Sequence, residues 1–358
     1  HRQRRHGCLI MGIKGFNQNN PKFRNLFTRA FGGDSTGLDA VVPAPPIVQG
    51  AGITATGGTK EADVDVSGTT YTYHYFTSAP QSFDVTNVHP DGPGEVEFLI
   101  VAGGGGGGFS QNGENRRGGG GGGAGGLITN WPGHPYRPRC PSPTQTLVVS
   151  ATGGPGANGQ YPINAGDGGG PASGGDDSTA FGLTANGGGY GGGNEGQNAT
   201  GGGSGGGAGA TANAGSNPGS ANPDSDSTRQ GYPGGAGSSN RGGGGGGANS
   251  AGFAGSGVPQ TGQGADGVAF PGIPSSYGTT GPAPGRWFAG GGSAGEYPSP
   301  GTTRPGGAGG GGAGKGDDTV GGDGTANTGG GGGGAGGGPA NTDGGSGGSG
   351  IIIIRYES

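Results

Sequence analysis

The sequence predicts a mostly non-regular and β chain: a small antiparallel β-module, a bundle of polyglycine II helices and one short amino-terminal α-helix. Three observations lead there. Glycine supplies 106 of 358 residues and is gathered into runs at 103–108, 118–123, 242–247, 309–312 and 329–334, with a sixth at 201–207 broken by Ser204. Apolar residues with a period of two precede the first run, and Ile-Ile-Ile-Ile-Arg-Tyr at 351–356 follows the last glycines. Near the amino end, a separate apolar stripe recurs with helical spacing.

Glycine sets the physical problem. It loses more backbone freedom on folding than any other residue, and fixing one backbone costs roughly 1 to 2 kcal/mol. Either most of the chain stays unordered, or the glycines form an array whose hydrogen bonds and close packing offset the entropy. The 106 glycines and 27 prolines, 133 of 358 residues, exceed the roughly 25 to 30 per cent typical of disorder. Charged residues make up only 11 per cent, however, whereas disordered segments carry abundant charge. A neutral, glycine-rich chain leaves room for backbone-to-backbone association.

From residue 1, the elements run as follows. Asn20 can cap a helix over 21–31, with Pro21 at its first position and Phe23, Leu26, Phe27, Ala30 and Phe31 on one face before Gly32 and Gly33 end it. Seven of the 18 basic residues (Arg2, Arg4, Arg5, Lys14, Lys22, Arg24 and Arg29) lie in the first 30 positions. So short a helix needs something to cover its stripe. Packing on its own domain is one reading; docking on another protein through Phe23, Arg24, Leu26, Phe27 and Phe31 is the second, and a membrane surface the third. The proline-rich stretch 42–46 closes this basic anchor segment, residues 1–46.

Residues 47–102 read as the β-module, with strands at 70–77, 82–86 and 95–102. In the first, Tyr71, Tyr73 and Tyr75 share one face while Thr72, His74 and Phe76 share the other. Glycine then dominates 103–350, with strand-like islands at 145–151 and 179–184. The closing strand, 351–358, is apolar on both faces, as a strand buried on both sides is. Its natural partner is the equally apolar 98–101, so Phe98, Ile100, Ile351 and Ile353 are expected to lie close and clamp the glycine-rich region.

Polyglycine II is a left-handed helix with three residues per turn, about 3.1 Å of rise and no internal hydrogen bonds. A run of six glycines would span about 19 Å, and without side chains neighbouring copies could bond to one another. The strict Gly-X-Y period of collagen is missing. The stretches Phe98-Leu-Ile-Val-Ala followed by six glycines, Ser178-Thr-Ala-Phe-Gly-Leu-Thr-Ala-Asn-Gly-Gly-Gly, and 326–356 with its terminal Ile-Ile-Ile-Ile-Arg-Tyr carry a resemblance. Across 69–356 the chain resembles the glycine-rich domain of bacteriophage tail-fibre, adhesin and other virion proteins and of some bacterial surface proteins. The resemblance implies a sandwich of polyglycine II helices whose end loops meet a host receptor, on a virion surface or, alternatively, a bacterial cell surface. It implies as partners other virion proteins through the amino-terminal segment, a host surface glycan or outer-membrane protein, and further copies of the chain.

On that scaffold the loop candidates are Trp131, His134, Tyr136 and Arg137, then Arg229 and Tyr232, Tyr277, the trio Arg286, Trp287 and Phe288, and Tyr297. Aromatic rings beside arginine suit stacking on sugars or a protein partner. The same rings could instead cap the glycine array and supply the apolar area it lacks. Both readings stand.

Other classes are disfavoured. A net charge of −5 argues against nucleic acid, although Arg117 and Arg241 precede glycines as in Arg-Gly RNA binders. Cys8 and Cys140 form no metal-site spacing, the seven residues 314–320 only partly resemble a calcium-binding nonapeptide that works in tandem, and no cofactor is expected. No nucleophile–base or paired-carboxylate signature points to an enzyme. Apolar residues 8–13 are too few for a signal-peptide core, no run reaches the roughly 18 of a membrane span, and Met11 competes with His1 as the start. The sequon Asn198-Ala199-Thr200 has meaning only for a chain secreted through a glycosylating pathway.

Overall fold

The computed structural model of the chain describes residues 52–88, 95–111, 117–132, 147–148, 160–194, 197–210, 230–256, 261–274 and 276–358. The expected helix at 21–31, with Phe23, Arg24, Leu26, Phe27 and Phe31, lies outside them. What is described is strand and non-regular backbone, with no helix among the described residues.

Two antiparallel sheets gather at one end. The first runs β2 (Thr59–Val66), β3 (Thr69–Phe76), β15 (Ile351–Glu357), β5 (Glu95–Val101) and β6 (Leu127–Thr129), with β7 (Leu147–Val148) also on β5. The second runs β1 (Ile53–Thr56), β4 (Gln81–Val88), β8 (Gln160–Asn164), β9 (Ser178–Ala180) and β10 (Leu183–Ala185). Two short ribbons, β11 (Val268–Phe270) with β12 (Arg286–Phe288) and β13 (Thr303–Arg304) with β14 (Gly314–Lys315), stand apart. The strands expected at 70–77, 82–86 and 95–102 are β3, β4 and β5, but they do not share one sheet: β4 belongs to the second. Each needs partners from distant sequence.

The closing strand is the centre of this end. β15 pairs antiparallel with β3 on one side and β5 on the other, with Ile351 opposite Val101, Ile353 opposite Leu99 and Ile354 opposite Phe98. Alternate residues serve opposite cores, as a pleated strand requires. Ile352, Ile354 and Tyr356 join Phe83, Phe98 and Ile100 between the sheets, while Ile351 and Ile353 join Tyr73, Trp131, Phe270 and Phe288 on the other face. All four isoleucines are fully buried. Each is worth about 1.5 to 3 kcal/mol of transfer free energy.

Glycine segments leave the sheets directly: 103–108 continues β5, 118–126 runs into β6, 186–192 follows β10, and 343–350 leads to β15. Their backbones bond to different neighbours at successive residues, and the pattern repeats every third residue. In 118–126, residues 119, 122 and 125 donate to carbonyls 335, 332 and 329; residues 120, 123 and 126 to 192, 189 and 186; and residues 121 and 124 to 243 and 246. These bonds span 2.7 to 3.0 Å. The carbonyls of the same segment accept from 204–210, 292–295 and 102–108. One buried strand of glycine is thus bonded to six neighbours.

Why these positions are glycine follows from that packing. A Cβ placed at Gly105 would fall well under 3 Å from the Gly189 carbonyl, and one at Gly122 equally close to the Gly105 carbonyl. Methyls are accepted where the array meets the sheets: Ala102 and Ala124 are fully buried and belong to the two apolar cores. Ser178 ties the junction, its Oγ donating to the Val101 carbonyl at 2.9 Å and accepting from the Gly166 amide at 2.8 Å.

Candidate functional site

The interior of the array holds only small side chains, alanine methyls and the hydroxyls of Ser204 and Ser293, so larger functional groups stand mainly at its two ends. At the sheet end, the aromatic residues marked in the sequence are structural supports. Trp131 is buried against Tyr73 and Phe270, with ring centroids at 6.3 and 6.0 Å. Phe288 is fully buried against Phe270, and Trp287 is buried with the Gly281 backbone on its ring and its Nε1–H donating to the Ala283 carbonyl at 3.0 Å. Arg286 is partly exposed, but its Nε donates to the Tyr277 carbonyl at 2.6 Å and its Nη2 to that of Gly278. Tyr277 stacks on Tyr75 at 4.4 Å. A buried ring cannot also meet a receptor, so Trp131, Trp287 and Phe288 serve the apolar core.

The same end holds a charged clasp. Arg355, 5 per cent exposed, lies flat between Trp131 and Tyr71, its Cζ 3.9 and 4.2 Å from the ring centroids. Its Nε pairs with the Glu97 carboxylate and its Nη1 donates to the Tyr73 hydroxyl at 2.9 Å, which donates onward to the Gly272 carbonyl at 2.7 Å. Burial pushes the Glu97 carboxyl upward, and the Arg355 charge only partly opposes it. Burial also raises the Tyr73 phenol. Geometry and charge make this a fastening between β15, β5 and β3.

At the far end, the turns are polar and pinned. Glu296 is buried, and Arg241 and Arg304 both grip its Oε2, the latter at 2.7 Å. Burial works to raise that carboxyl, but bonds from Ser299, Arg304 and Arg241 outweigh it and hold the group below the usual carboxylate range. Asp317 accepts the Ser299 amide at 2.8 Å, and Asp318 the Ala340 amide at 2.8 Å. Three turns, 297–304, 317–320 and 337–342, are therefore joined side by side by carboxylate–amide bonds. On them Tyr297 is partly exposed and Val320 is 57 per cent exposed.

Tyr232 lies elsewhere, its backbone bonded within the array and its side chain partly exposed. His134, Tyr136, Arg137 and Arg229 fall outside the described residues. Among the described residues, no three His, Cys, Asp or Glu gather to hold a metal ion, and no helix is long and apolar enough to cross a membrane.

Runs of glycine leaving an apolar strand, recurring through the chain and ending on a second apolar strand that pairs with the first are a recognisable layout. The sequence model of the glycine-rich domain matches residues 77–357. The chain belongs to this family. No curated protein matches it. Within this glycine-rich domain, the sequence reading passed over the far-end residues Glu296 and Arg304, and weighed Asp317, Asp318 and Val320 only as part of the calcium-type stretch 314–320. Arg241 and Glu296 are 55 residues apart, and only the path of the chain brings them together. Arg355 could have been found: a lone charge inside an apolar strand demands a buried partner.

Proposed function

We propose that the glycine segments are polyglycine II helices and that the chain is a non-enzymatic structural protein of a phage virion, a tail fibre, adhesin or capsid decoration. It would be held by its amino-terminal segment and display the far-end turns toward a host or partner. The three-residue period of the hydrogen bonds supports the first part, because a threefold helix turns its amides to three neighbours in succession. The observation that carries the second is the contrast between an interior of glycine with only alanine and serine side chains and pinned turns at the far end bearing Tyr297 and Val320. Rigid turns on a stiff support are where binding residues are placed in such designs.

The competing idea, a self-assembling fibre or matrix of a bacterial surface, needs open array edges to which further copies can add. Here the outer segments carry side chains that would hold a neighbouring backbone away. Examples are exposed Ser173, Asp176 and Asp177, Asp323 and Thr325, and Phe253 at 39 per cent exposure. An Arg-Gly RNA binder fares no better, since Arg241 is committed to Glu296. Negative-stain imaging of the purified chain and of its parent assembly tests the proposal. Discrete spikes on particles are expected; long filaments from the isolated protein would overturn it in favour of the matrix.

A further inference from the structure

Of the five histidines in the chain, His74 is the one within the described residues. Its side chain is fully buried on β3, packed edge-on by Phe83 at 5.2 Å and beside Tyr356 at 5.7 Å. Both ring nitrogens are engaged. Nδ1 lies 2.7 Å from the Gly57 carbonyl, which can only accept, so Nδ1 carries the hydrogen. In the neutral ring Nε2 is then an acceptor, and it takes the hydroxyl hydrogen of Tyr356 at 3.2 Å. The phenol oxygen in turn interacts with the backbone amide of Ala55 on β1. One imidazole thus links the Gly57 turn, β3, β15 and β1.

We propose that His74 is an acid-sensitive latch on the closing strand: uptake of a proton turns Nε2 into a donor, removes the acceptor of the Tyr356 hydroxyl, and loosens β15 from β3. The surroundings cannot accommodate the new charge. Lys60 on β2 stands opposite His74 in register and repels it, while the other faces offer Phe83 from β4, Ile354 and Tyr356 from β15, and Ile53 and Ala55 from β1. The carboxylates of the neighbouring strands do not face the ring: Glu61 on β2 accepts the Tyr75 hydroxyl, Glu97 and Glu357 sit with Arg355 and Tyr71, all on the opposite face of the sheet, and Asp84 alternates away from Phe83 on β4. Burial is the main cause that lowers the basicity of His74, and the Gly57 bond only partly opposes it.

The sign follows by linkage. The opened strand binds a proton at the ordinary histidine value of about 6.5, whereas the closed one resists it, so the open form holds more protons as the pH falls. Closure is complete in strength above about pH 6.5 and is lost progressively below it, by up to about tenfold in the opening constant per pH unit. Because β15 joins both apolar cores and follows directly on 343–350, opening it frees one end of the glycine array. Glu97 cannot mimic this: a carboxyl raised in the folded state contributes less stability as pH rises, the opposite slope.

Hydrogen exchange on the full chain, corrected for intrinsic rates, tests the latch. Protection of residues 351–357 should fall by a factor of about five between pH 6.5 and pH 5.5 in the unaltered protein, and stay constant over that range in His74→Gln. An equal loss in both would overturn the proposal. If His74→Gln fails to fold, imidazole NMR of the unaltered chain decides. A neutral Nδ1–H ring persisting at pH 5.5 while strand protection declines is expected; protonation near pH 6.5 with protection unchanged would refute it.

Discussion

The sheet end and the glycine array are both densely buried, yet they fill space by opposite means. Around β15, volume is taken by Ile351 to Ile354, Phe98, Trp131 and Phe288, and backbones stay at ordinary sheet spacing. In the array, the space beside Gly105 or Gly122 is taken by the carbonyl of another segment. The lesson concerns tolerance. A side-chain core fails when atoms are removed, because a cavity opens; a backbone core fails when a single methyl is added, because no rotamer can move out of the way.

The sharpest test of the backbone core is to add one carbon inside the array and one at an exposed turn of the same glycine chain. Gly105→Ala and Gly122→Ala should cost about 4 kcal/mol or more, or abolish folding, since the clashing atoms are backbone. Gly170→Ala, with nothing within 4 Å of the added carbon, should be neutral or stabilise by about 0.5 kcal/mol through the unfolded chain. Denaturant melts of the three variants decide. Equal behaviour would contradict the filling of the array's interior by backbone.

Removing atoms should show the reverse ranking. Ile353→Ala is expected to cost about 2 to 5 kcal/mol and Ile353→Val about 1 kcal/mol by the same melts. Next comes the clasp: Arg355→Met leaves the Glu97 carboxylate unpaired beside the core and should cost about 3 kcal/mol, much of it recovered when Glu97→Met is added.

At the far end the effect is smaller and depends on pH. A carboxyl held below its usual range contributes stability that is present above the unfolded value near 4.5 and disappears as pH falls through the folded one. Glu296→Gln should therefore cost about 1 to 3 kcal/mol at pH 7 and little at pH 3, seen as a flatter acid limb in melting temperature. Smallest of all, Val320→Ser should change stability by less than about 0.5 kcal/mol in the same melts, because the side chain is largely exposed.

How much of this was legible in the sequence depended on range. Strand patterning is local: the two-faced apolarity of 351–354 and 98–101 and the alternation of Tyr71, Tyr73 and Tyr75 are enough by themselves to announce buried strands. The distribution of β3, β4 and β5 over two sheets was not legible, because it depends on strands more than sixty residues further along. The burial of Trp131 and Trp287 was one of the two readings the sequence left open for these rings; what it did not give was their partners, since Gly272 and Gly281 let backbone lie against Arg355 and on the Trp287 ring. The Glu296 clamp joins residues whose meeting is decided by the count of passes the chain makes through the array.

The central claim is that glycine amides of this chain are saturated by other glycine carbonyls. Amide-resolved hydrogen exchange at Gly105, Gly120, Gly122 and Gly332, each a donor to another segment, tests it most directly. Protection comparable to that of the β15 amides is predicted. Exchange at the rate of unstructured peptide, while β15 stays protected, would contradict it.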